Sequence, residues 1–391
     1  MISFQPFIKK YAIILIAIIG IIAYANSFNN SFQFDDGYHI VDGTKIKNID
    51  NVLKASHWKA VANRPFSFFT LAVNYKLNQL DVTGYHIANL LFHVLAGFMA
   101  FLLTLEILSL PMFRKNKTAG DFKILIALFT AFIFVAHPIQ TQAVTYIIQR
   151  MSVLAGFFYM WSVLLYIRGR KLHLKKQAEK KWKPYAFYAG AFVAGIFGFL
   201  SKQNAITFPV AFILAEIFFI RNNEQKIDRK FLVIFSSLIA LIILMGILVN
   251  GLPSEYDKIS RSHYLLTQFR VIAKYWQLIF LPVNQHLDYY FTISTTLWSA
   301  KELAGLALII LTILLGIWLY RKKWNVAAFA IFWFYLALSL ESSIIPIRDV
   351  IFEHRLYIAL FGFAFAVSYL AFYFLSTKKA IYPVIALSLL T

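Results

Sequence analysis

The chain alternates long apolar runs with shorter polar segments over almost its whole length. Many of the runs hold close to twenty residues, which is the length that a helix needs to cross about 30 Å of hydrocarbon. We therefore predict an all-α polytopic membrane protein of about eleven transmembrane helices, built as one domain over residues 1–391. The predicted spans lie at roughly 11–28, 86–108, 123–139, 152–167, 185–200, 205–220, 231–249, 302–320, 326–342, 356–376 and from 380 to the end.

A shorter apolar stretch at 268–282 decides the topology of the second half of the chain. If this stretch crossed the membrane, the basic run Arg321-Lys322-Lys323 would lie outside, against the rule that inner loops are rich in Lys and Arg. We therefore predict that it does not cross and that it belongs to an outer segment at about 250–301. The first outer loop, at about 29–85, has room for short helices, and residues 60–77 are predicted to lie along the interface as an amphipathic helix.

Basic residues concentrate in the segments that this topology places inside. These segments hold 23 of the 38 Lys and Arg residues but only four acids, so they carry +19 of the net charge of +20. The high positive charge is therefore a topology signal, with a cytoplasmic N-terminus, and does not indicate nucleic-acid binding. The first run lacks a small-residue cleavage motif, so we expect an anchored span. Cysteine is absent, which excludes disulfides and thiolate metal sites.

The polar motifs all lie on the predicted outer side of the membrane. They are, in order, Phe34-Asp35-Asp36, Asn63-Arg64-Pro65-Phe66, Gly84-Tyr85-His86-Ile87-Ala88-Asn89 with His93, Ala136-His137-Pro138-Ile139-Gln140, Gln149-Arg150-Met151, Leu200-Ser201-Lys202-Gln203, Leu287-Asp288-Tyr289, Ile344-Ile345-Pro346-Ile347-Arg348-Asp349 and Glu353-His354-Arg355. In this order and at these spacings they resemble the membrane half of the TMTC-type O-mannosyltransferases and their bacterial relatives, within the GT-C superfamily. The resemblance covers about residues 26–361 and implies a GT-C-like bundle with its active site on the outer side.

The adjacent acids Asp35 and Asp36 follow the first span directly. Carboxylates held close together push each other's pKa apart, which is one way to make a proton acceptor. The resemblance implies that Asp35 is the base that deprotonates an acceptor hydroxyl for an inverting attack. It implies that Asp36 orients the acceptor or holds a basic partner. The alternative is that the pair caps a helix end or forms a salt bridge.

A leaving phosphate needs fixed positive charge, and the guanidinium fork of Arg binds phosphate oxygens in a bidentate manner. The candidates within matching motifs are Arg355 and Arg64, then Lys202 and Arg150. We expect Pro65 to end any local helix and to stiffen the chain next to Arg64. The alternative for each base is an anchor whose charge reaches the membrane interface.

The outer histidines invite a metal site, but their spacing argues against it. His86 and His93 are seven residues apart, about 10 Å along a helix, and no carboxylate is spaced to join them. We expect His137 to cap a helix end and His86 to hydrogen-bond the acidic pair. His86, Asp288, Glu353 and His354 are kept as candidate acceptor or sugar contacts. No metal or other cofactor is firmly expected, and a divalent ion stays open.

The leading functional prediction is transfer of a mannose-like monosaccharide from a polyprenyl-phosphate donor to a Ser or Thr hydroxyl of an exported protein. One alternative is transfer to a glycolipid or an envelope polysaccharide. Another is a transporter or flippase for a lipid-linked sugar, which would favour charges near the bilayer midplane. Here the charges gather at the surfaces. The expected partners are thus the donor, an acceptor and membrane lipids, with no nucleic acid.

Two departures from the resemblance concern the end of the chain. Relatives of this type continue into tetratricopeptide repeats, and none follows here. The last apolar run stops at Thr391 after about half a span, so we expect a fragment or a truncated product. The many Lys, Ile, Asn and Phe residues favour a bacterial source, with the protein in the inner membrane and its active site facing the periplasm or the exterior.

Overall fold

The computed structural model describes residues 5–54, 64–174, 181–221 and 259–376 of the chain. Within these ranges the protein is built from helices, and no β-strand occurs. The helices are α1 (Gln5–Tyr24), α2 (Asp50–Leu53), α3 (Pro65–Asn78), α4 (Val82–Leu108), α5 (Lys117–Ala136), α6 (Thr141–Thr145), α7 (Arg150–Leu174), α8 (Lys183–Ser201), α9 (Phe208–Ala215), α10 (Arg261–Phe280), α11 (Ala300–Arg321), α12 (Asn325–Leu338) and α13 (Leu356–Ser376). The predicted all-α polytopic membrane class is confirmed.

Eight helical segments of the described ranges are long and apolar enough to cross a membrane. They are Lys9–Ser27, Val82–Leu108, Lys117–Ala136, Ile147–Leu174, Lys183–Ser201, Gln203–Ile220, Ala300–Arg321 and Glu353–Ser376. Each coincides with a span expected from the sequence. The predicted spans 231–249 and 380–391 lie outside the described residues.

Helix α12 corresponds to the predicted span 326–342 but ends earlier, at Leu338. Its 14 residues rise about 21 Å, short of the hydrocarbon thickness. The segment that follows carries Glu341, whose carboxylate is held by side chains from another part of the chain. Helix α12 therefore ends shortly before Glu341, which brings this carboxylate to its partners.

We call the end of the bundle that carries Asp35 the outer end, and the opposite end the inner end. Helix α10 lies against groups of the outer end along its whole length. Its side chains Tyr264, Gln268 and Tyr275 donate hydrogen bonds to the backbone carbonyls of residues 341, 350 and 352. A helix that lies along the surface would make such contacts, and the non-crossing assignment of 268–282 stays a prediction.

The beginning of α3 corrects one local expectation. Pro65 was expected to end a helix, but it is the first residue of α3. Proline is well tolerated there because the first helical N–H has no partner within the helix. Residues 55–63, which include the first part of the predicted amphipathic helix, lie outside the described residues.

Close packing between α7 and α13 depends on Gly156. A Cβ atom at this position would lie 2.5 Å from Cδ1 of Tyr357, which is far inside van der Waals contact. The Tyr357 side chain is in turn fixed, because its hydroxyl makes a 2.8 Å hydrogen bond with Nδ1 of His93 on α4. The absence of a side chain at 156 thus lets α4, α7 and α13 meet.

We expect Gly156→Ala to destabilise the protein by about 1–3 kcal/mol, because overpacking must displace Tyr357 and its hydrogen bond. Thermal unfolding of the purified chain in detergent measures the effect. Gly120→Ala is the matched control, since a Cβ atom there meets no other atom within 4 Å. Equal unfolding temperatures for the two variants would contradict this account of the helix packing.

Candidate active site

The two acids of the first outer loop have different environments. Asp36 is buried, and its Oδ1 and Oδ2 atoms accept hydrogen bonds from the backbone N–H groups of Ile148 (2.7 Å) and Gln33 (3.1 Å). Asp35 is exposed, and its backbone N–H donates to the Tyr146 hydroxyl at 3.0 Å. Asp36 therefore anchors the loop to the segment before α7, and Asp35 presents its carboxylate to the outside.

The residue before the pair has an unusual backbone. Phe34 has φ = 42°, in the left-handed region that a bulky side chain rarely adopts. Such conformations cost on the order of 1–3 kcal/mol and persist where the surroundings enforce them, often at functional sites. The anchoring of Asp36 and Asp35 just after Phe34 supplies that enforcement.

A buried ion pair lies between the turn after α8 and the segment after α12. The ammonium of Lys202 lies 3.1 Å from Oε1 of Glu341 and also donates to the Ser152 hydroxyl at 3.1 Å. The second oxygen of Glu341 accepts from the Asn204 amide at 3.1 Å. Burial lowers the pKa of Lys202 to about 8, although Glu341 opposes the shift. Burial would raise the pKa of Glu341, but Lys202 and Arg355 outweigh it and hold the pKa below its usual value.

Arg64 lies between this ion pair and the acidic loop. Its Nε donates to the Gln203 side-chain oxygen at 2.9 Å, and one terminal nitrogen contacts the sulfur of Met151 at 2.8 Å. The charges of Glu341 and Asp35 are both within electrostatic reach of its guanidinium. Arg64 therefore connects the exposed carboxylate with the buried pair.

Arg355 is buried and faces the same region. Its guanidinium donates to the carbonyl of Val350 at 3.0 Å and to that of Asp349, so it holds the end of the outer segment before α13. Glu341 lies within its electrostatic reach. Burial raises the pKa of Asp349. Arg348 and then Arg355 oppose the rise, and the carboxylates of Asp288 and Asp35 add to it. The exposed carboxylate of Asp288 is thus near that of Asp349.

His354 is fixed by Gln142. Both its backbone N–H and its ring Nδ1 lie within 2.9 Å of the Gln142 side-chain oxygen, so the ring nitrogen is the donor. Lys202, Arg355 and Arg64 all act electrostatically on this imidazole. His354 therefore belongs to the basic side of the site.

Arg150 is committed to hydrogen bonds within the helical bundle. Four of its five N–H donors bind protein acceptors: the side-chain oxygens of Asn89 (2.6 Å) and Asn74 (2.7 Å), and the carbonyls of Thr70 and Tyr85 (both 3.1 Å). The guanidinium thereby joins α3, α4 and α7. The hydrogen bonds that join these three helices are observed, whereas the contact of Arg150 with a donor phosphate stays a prediction.

Glu353 is buried against the loop that follows α10. It accepts hydrogen bonds from the backbone N–H of His286 (2.9 Å), the Gln285 amide (2.6 Å) and the Tyr289 hydroxyl. A cavity of about 420 Å³ lies beside it, and Gln33 and Tyr146, which hold the acidic pair, also line this cavity. The other lining residues are Asn30, Ser31, Thr141, Gln142, Thr145, Gln285, His286 and Leu287. Hydroxyl and amide groups dominate, as suits a polyhydroxylated or peptidic ligand.

The remaining outer histidines have local partners. His86 contacts the carbonyl of Asn30 at 2.9 Å, and not a carboxylate of the acidic pair as expected. His93 is buried between the Tyr357 hydroxyl and the Val135 carbonyl. His137 follows α5, accepts from the N–H of Ile139, and contacts the Ile279 carbonyl, as predicted for a helix-end cap. Within the described ranges, no three His, Asp or Glu residues are grouped to hold a metal ion.

Two of the site residues, Glu341 and Gln142, were not anticipated from the sequence. Glu341 falls at the end of the predicted span 326–342. Yet an acid in an apolar run is rare enough to mark a functional candidate by itself. Gln142 carries no such signal, because an amide beside a helix end is common.

The fold and site define an integral membrane protein with a cluster of acids and bases at one end of an apolar helical bundle. Among curated proteins, the chain is 24% identical over 332 residues to "Protein O-mannosyl-transferase F38B6.6" of Caenorhabditis elegans, covering 78% of this chain and 43% of that protein. It is 26% identical over 166 residues to human "Protein O-mannosyl-transferase TMTC3", covering 39% and 17%. It is 23% identical over 216 residues to mouse "Protein O-mannosyl-transferase TMTC4", covering 50% and 28%.

The chain is therefore related to the TMTC-type protein O-mannosyltransferases, as the motifs indicated. It spans less than half the length of these curated relatives. No protein-family model matches the chain. No solved structure matches it either.

The burial of Asp36 predicts a pH dependence of stability. Burial raises the pKa of Asp36 from 3.8 to about 6. Between pH 3.8 and about 6 the folded protein binds more protons than the unfolded chain. The contribution of Asp36 to the free energy of unfolding is therefore full below about pH 3.8 and is lost as the pH rises through about 6. Thermal unfolding between pH 4 and 8 should show this decline in the parent, and Asp36→Asn should flatten it.

Asp42→Asn is the control, because Asp42 is an exposed acid of the same loop. It should leave the pH profile as in the parent. A profile that Asp36→Asn leaves unchanged would show that Asp36 does not titrate in this range.

Proposed function

We propose that the protein is an inverting glycosyltransferase of the membrane, which moves a mannose-like sugar from a polyprenyl-phosphate donor to a Ser or Thr hydroxyl of an exported protein. The observation that carries the proposal is the placement of one exposed carboxylate, Asp35, within electrostatic reach of Arg64, which also lies near the Lys202–Glu341 pair. A base and a phosphate-binding cluster in one place are what this reaction needs. The names of the relatives support transfer of mannose to a protein.

In the proposed reaction, Asp35 accepts the proton of the acceptor hydroxyl while the oxygen of that hydroxyl forms a bond to C1 of the sugar. The bond between C1 and the phosphate oxygen breaks, and polyprenyl phosphate leaves with the electron pair. Arg64 and Arg355 stabilise the phosphate charge, and Lys202 adds positive charge to the same region. Attack opposite the leaving group inverts the configuration at C1.

Asp36, Arg150 and Glu353 act in this proposal as positioning residues. Asp36 ties the loop of Asp35 to the N–H of Ile148, and Arg150 fixes the helix that follows. Glu353 holds the loop at 285–289 beside the polar cavity. His86 contacts the carbonyl of the lining residue Asn30, and Asp288 follows the lining residue Leu287, so both are kept as proposed acceptor or sugar contacts. His354 borders both the cavity residue Gln142 and the bases.

The distribution of Lys and Arg supports an orientation for the reaction. We propose that the inner end faces the cytoplasm, with the N-terminus, and that the outer end faces the periplasm or exterior of a bacterial cell. The donor would then be used in the outer leaflet.

We expect Asp35→Asn to lower turnover by about 100-fold or more, because a positioned base contributes about 10²–10⁴-fold. The assay uses the full chain in proteoliposomes, polyprenyl-phosphate mannose as donor and a Ser/Thr-rich peptide as acceptor. Asp42→Asn, in the same loop, is the matched control and should keep parental turnover. Comparable turnover by Asp35→Asn and the parent would overturn the role of Asp35, and transfer only to a lipid acceptor would overturn the protein acceptor.

We expect Arg64→Gln to weaken donor binding by about 10–100-fold, since a hydrogen bond to a charged group is worth about 1.5–3 kcal/mol. Arg64→Lys should recover only part of the affinity, because an ammonium cannot bind two phosphate oxygens as a fork. Titration of the purified chain with polyprenyl-phosphate mannose measures the affinities. Lys301→Gln, an exposed base at the outer end of α11, should have little effect. Equal affinities for the parent and Arg64→Gln would remove Arg64 from the donor site.

A further inference from the structure

A second cavity lies at the inner end of the bundle, far from the candidate active site. Its volume is about 720 Å³, and it opens between the ends of α4, α11, α12 and α13. Tyr373, which lines it, is 17 residues after Leu356, the first residue of α13, or about 26 Å along the helix axis. The two cavities therefore lie at opposite ends of the bundle.

The inner cavity is strongly basic. Its described lining includes no acid. Five bases line it, namely Arg114, Lys115, Arg221, Lys322 and Lys323. Arg221 pairs with the buried Glu216 at 3.0 Å, whereas the other four bases make no ion pair within the described ranges. Four like charges around one recess favour an anionic ligand.

Aromatic side chains form one wall of this cavity, and that wall continues onto the apolar helices of the bundle. Trp324 and Tyr373 meet edge to face with ring centroids 5.3 Å apart. Tyr369 is buried, and its hydroxyl accepts a 2.8 Å hydrogen bond from the Asn116 amide. Trp and Tyr of this kind sit where lipid head groups meet acyl chains. The lining thus combines anion-binding bases with a surface suited to lipid.

The turn between α11 and α12 holds Lys323 in a costly conformation. Helix α11 ends in a Schellman motif, in which the N–H groups of Trp324 and Lys323 bind the carbonyls of Leu319 and Tyr320, both at 2.9 Å. Lys323 occupies the position that glycine usually takes, with φ = 63°. A lysine here costs backbone strain that glycine would avoid. A ligand bound to the Lys323 ammonium in the cavity would offset this cost.

We propose that the inner cavity binds the phosphate-bearing head group of an anionic lipid in the leaflet on that side. The volume suits a whole head group and is much larger than a single ion requires. The aromatic wall favours a lipid over free phosphate. The site is independent of sugar transfer, because none of its residues lies at the outer end.

The test measures lipid binding by the full chain in detergent, with native mass spectrometry as the readout. Phosphatidylglycerol is expected to bind at least tenfold more tightly than phosphatidylcholine. The variant Lys322→Gln with Lys323→Gly should weaken phosphatidylglycerol binding by about 25-fold, at about fivefold for each base. Since glycine is favoured at position 323, this variant should unfold at or above the parental temperature.

The matched control is Lys9→Gln with Lys10→Gln, which removes two exposed bases from the same end of the bundle but outside the cavity. It should change phosphatidylglycerol binding by less than twofold. An equal loss in the control would mean diffuse surface charge and would overturn the site. Equal binding of the two lipids would also overturn it, as would inorganic phosphate that binds alone as tightly as phosphatidylglycerol.

Discussion

The outer end of the bundle depends on one buried guanidinium, that of Arg150. Through Asn89, Asn74 and two backbone carbonyls it joins α3, α4 and α7, and the side chains of Asn89, Asn74 and Arg150 are all buried. Because α7 begins at Arg150, the same interaction fixes the preceding turn, whose N–H at Ile148 holds Asp36. The exposed position of Asp35 is therefore set by a chain of contacts that begins at Arg150. An unpaired polar group at any step would cost about 1–3 kcal/mol.

The spans could be predicted closely because their physics is local. A run such as 185–200 is apolar enough to be placed by its own composition, and the structure has the helix at Lys183–Ser201. Where a span ends on a tertiary contact, the prediction was less accurate. Helix α12 ends before its apolar run is complete because Glu341 must meet Lys202, which is distant in sequence.

The motifs name the candidate residues, but they do not show which groups hold each side chain. The motif Phe34-Asp35-Asp36 does not reveal which acid is buried, and the fold makes Asp36 a buried anchor and Asp35 an exposed carboxylate. Arg150 and Arg355 are both candidate phosphate ligands by sequence, yet Arg150 is committed to side chains and carbonyls of two other helices, α3 and α4. Such commitments join residues 60–80 positions apart, and no local pattern encodes them. The expected hydrogen bond from His86 to the acidic pair failed for the same reason, since Asn30 reaches the ring instead.

The Lys202–Glu341 pair has a consequence for how this chain can change over generations. Losing Glu341 alone would leave the Lys202 charge buried without the carboxylate that pairs with it, at a cost of about 3–5 kcal/mol, which is a large part of the stability of an ordinary protein. Losing Lys202 alone would leave the buried Glu341 with Arg355 as the base that still acts on it. Replacing both by apolar residues would be far easier to tolerate. Positions 202 and 341 are therefore expected to vary together among homologues, as one inherited unit, and a chain that has lost both charges would keep its fold while its chemistry drifts.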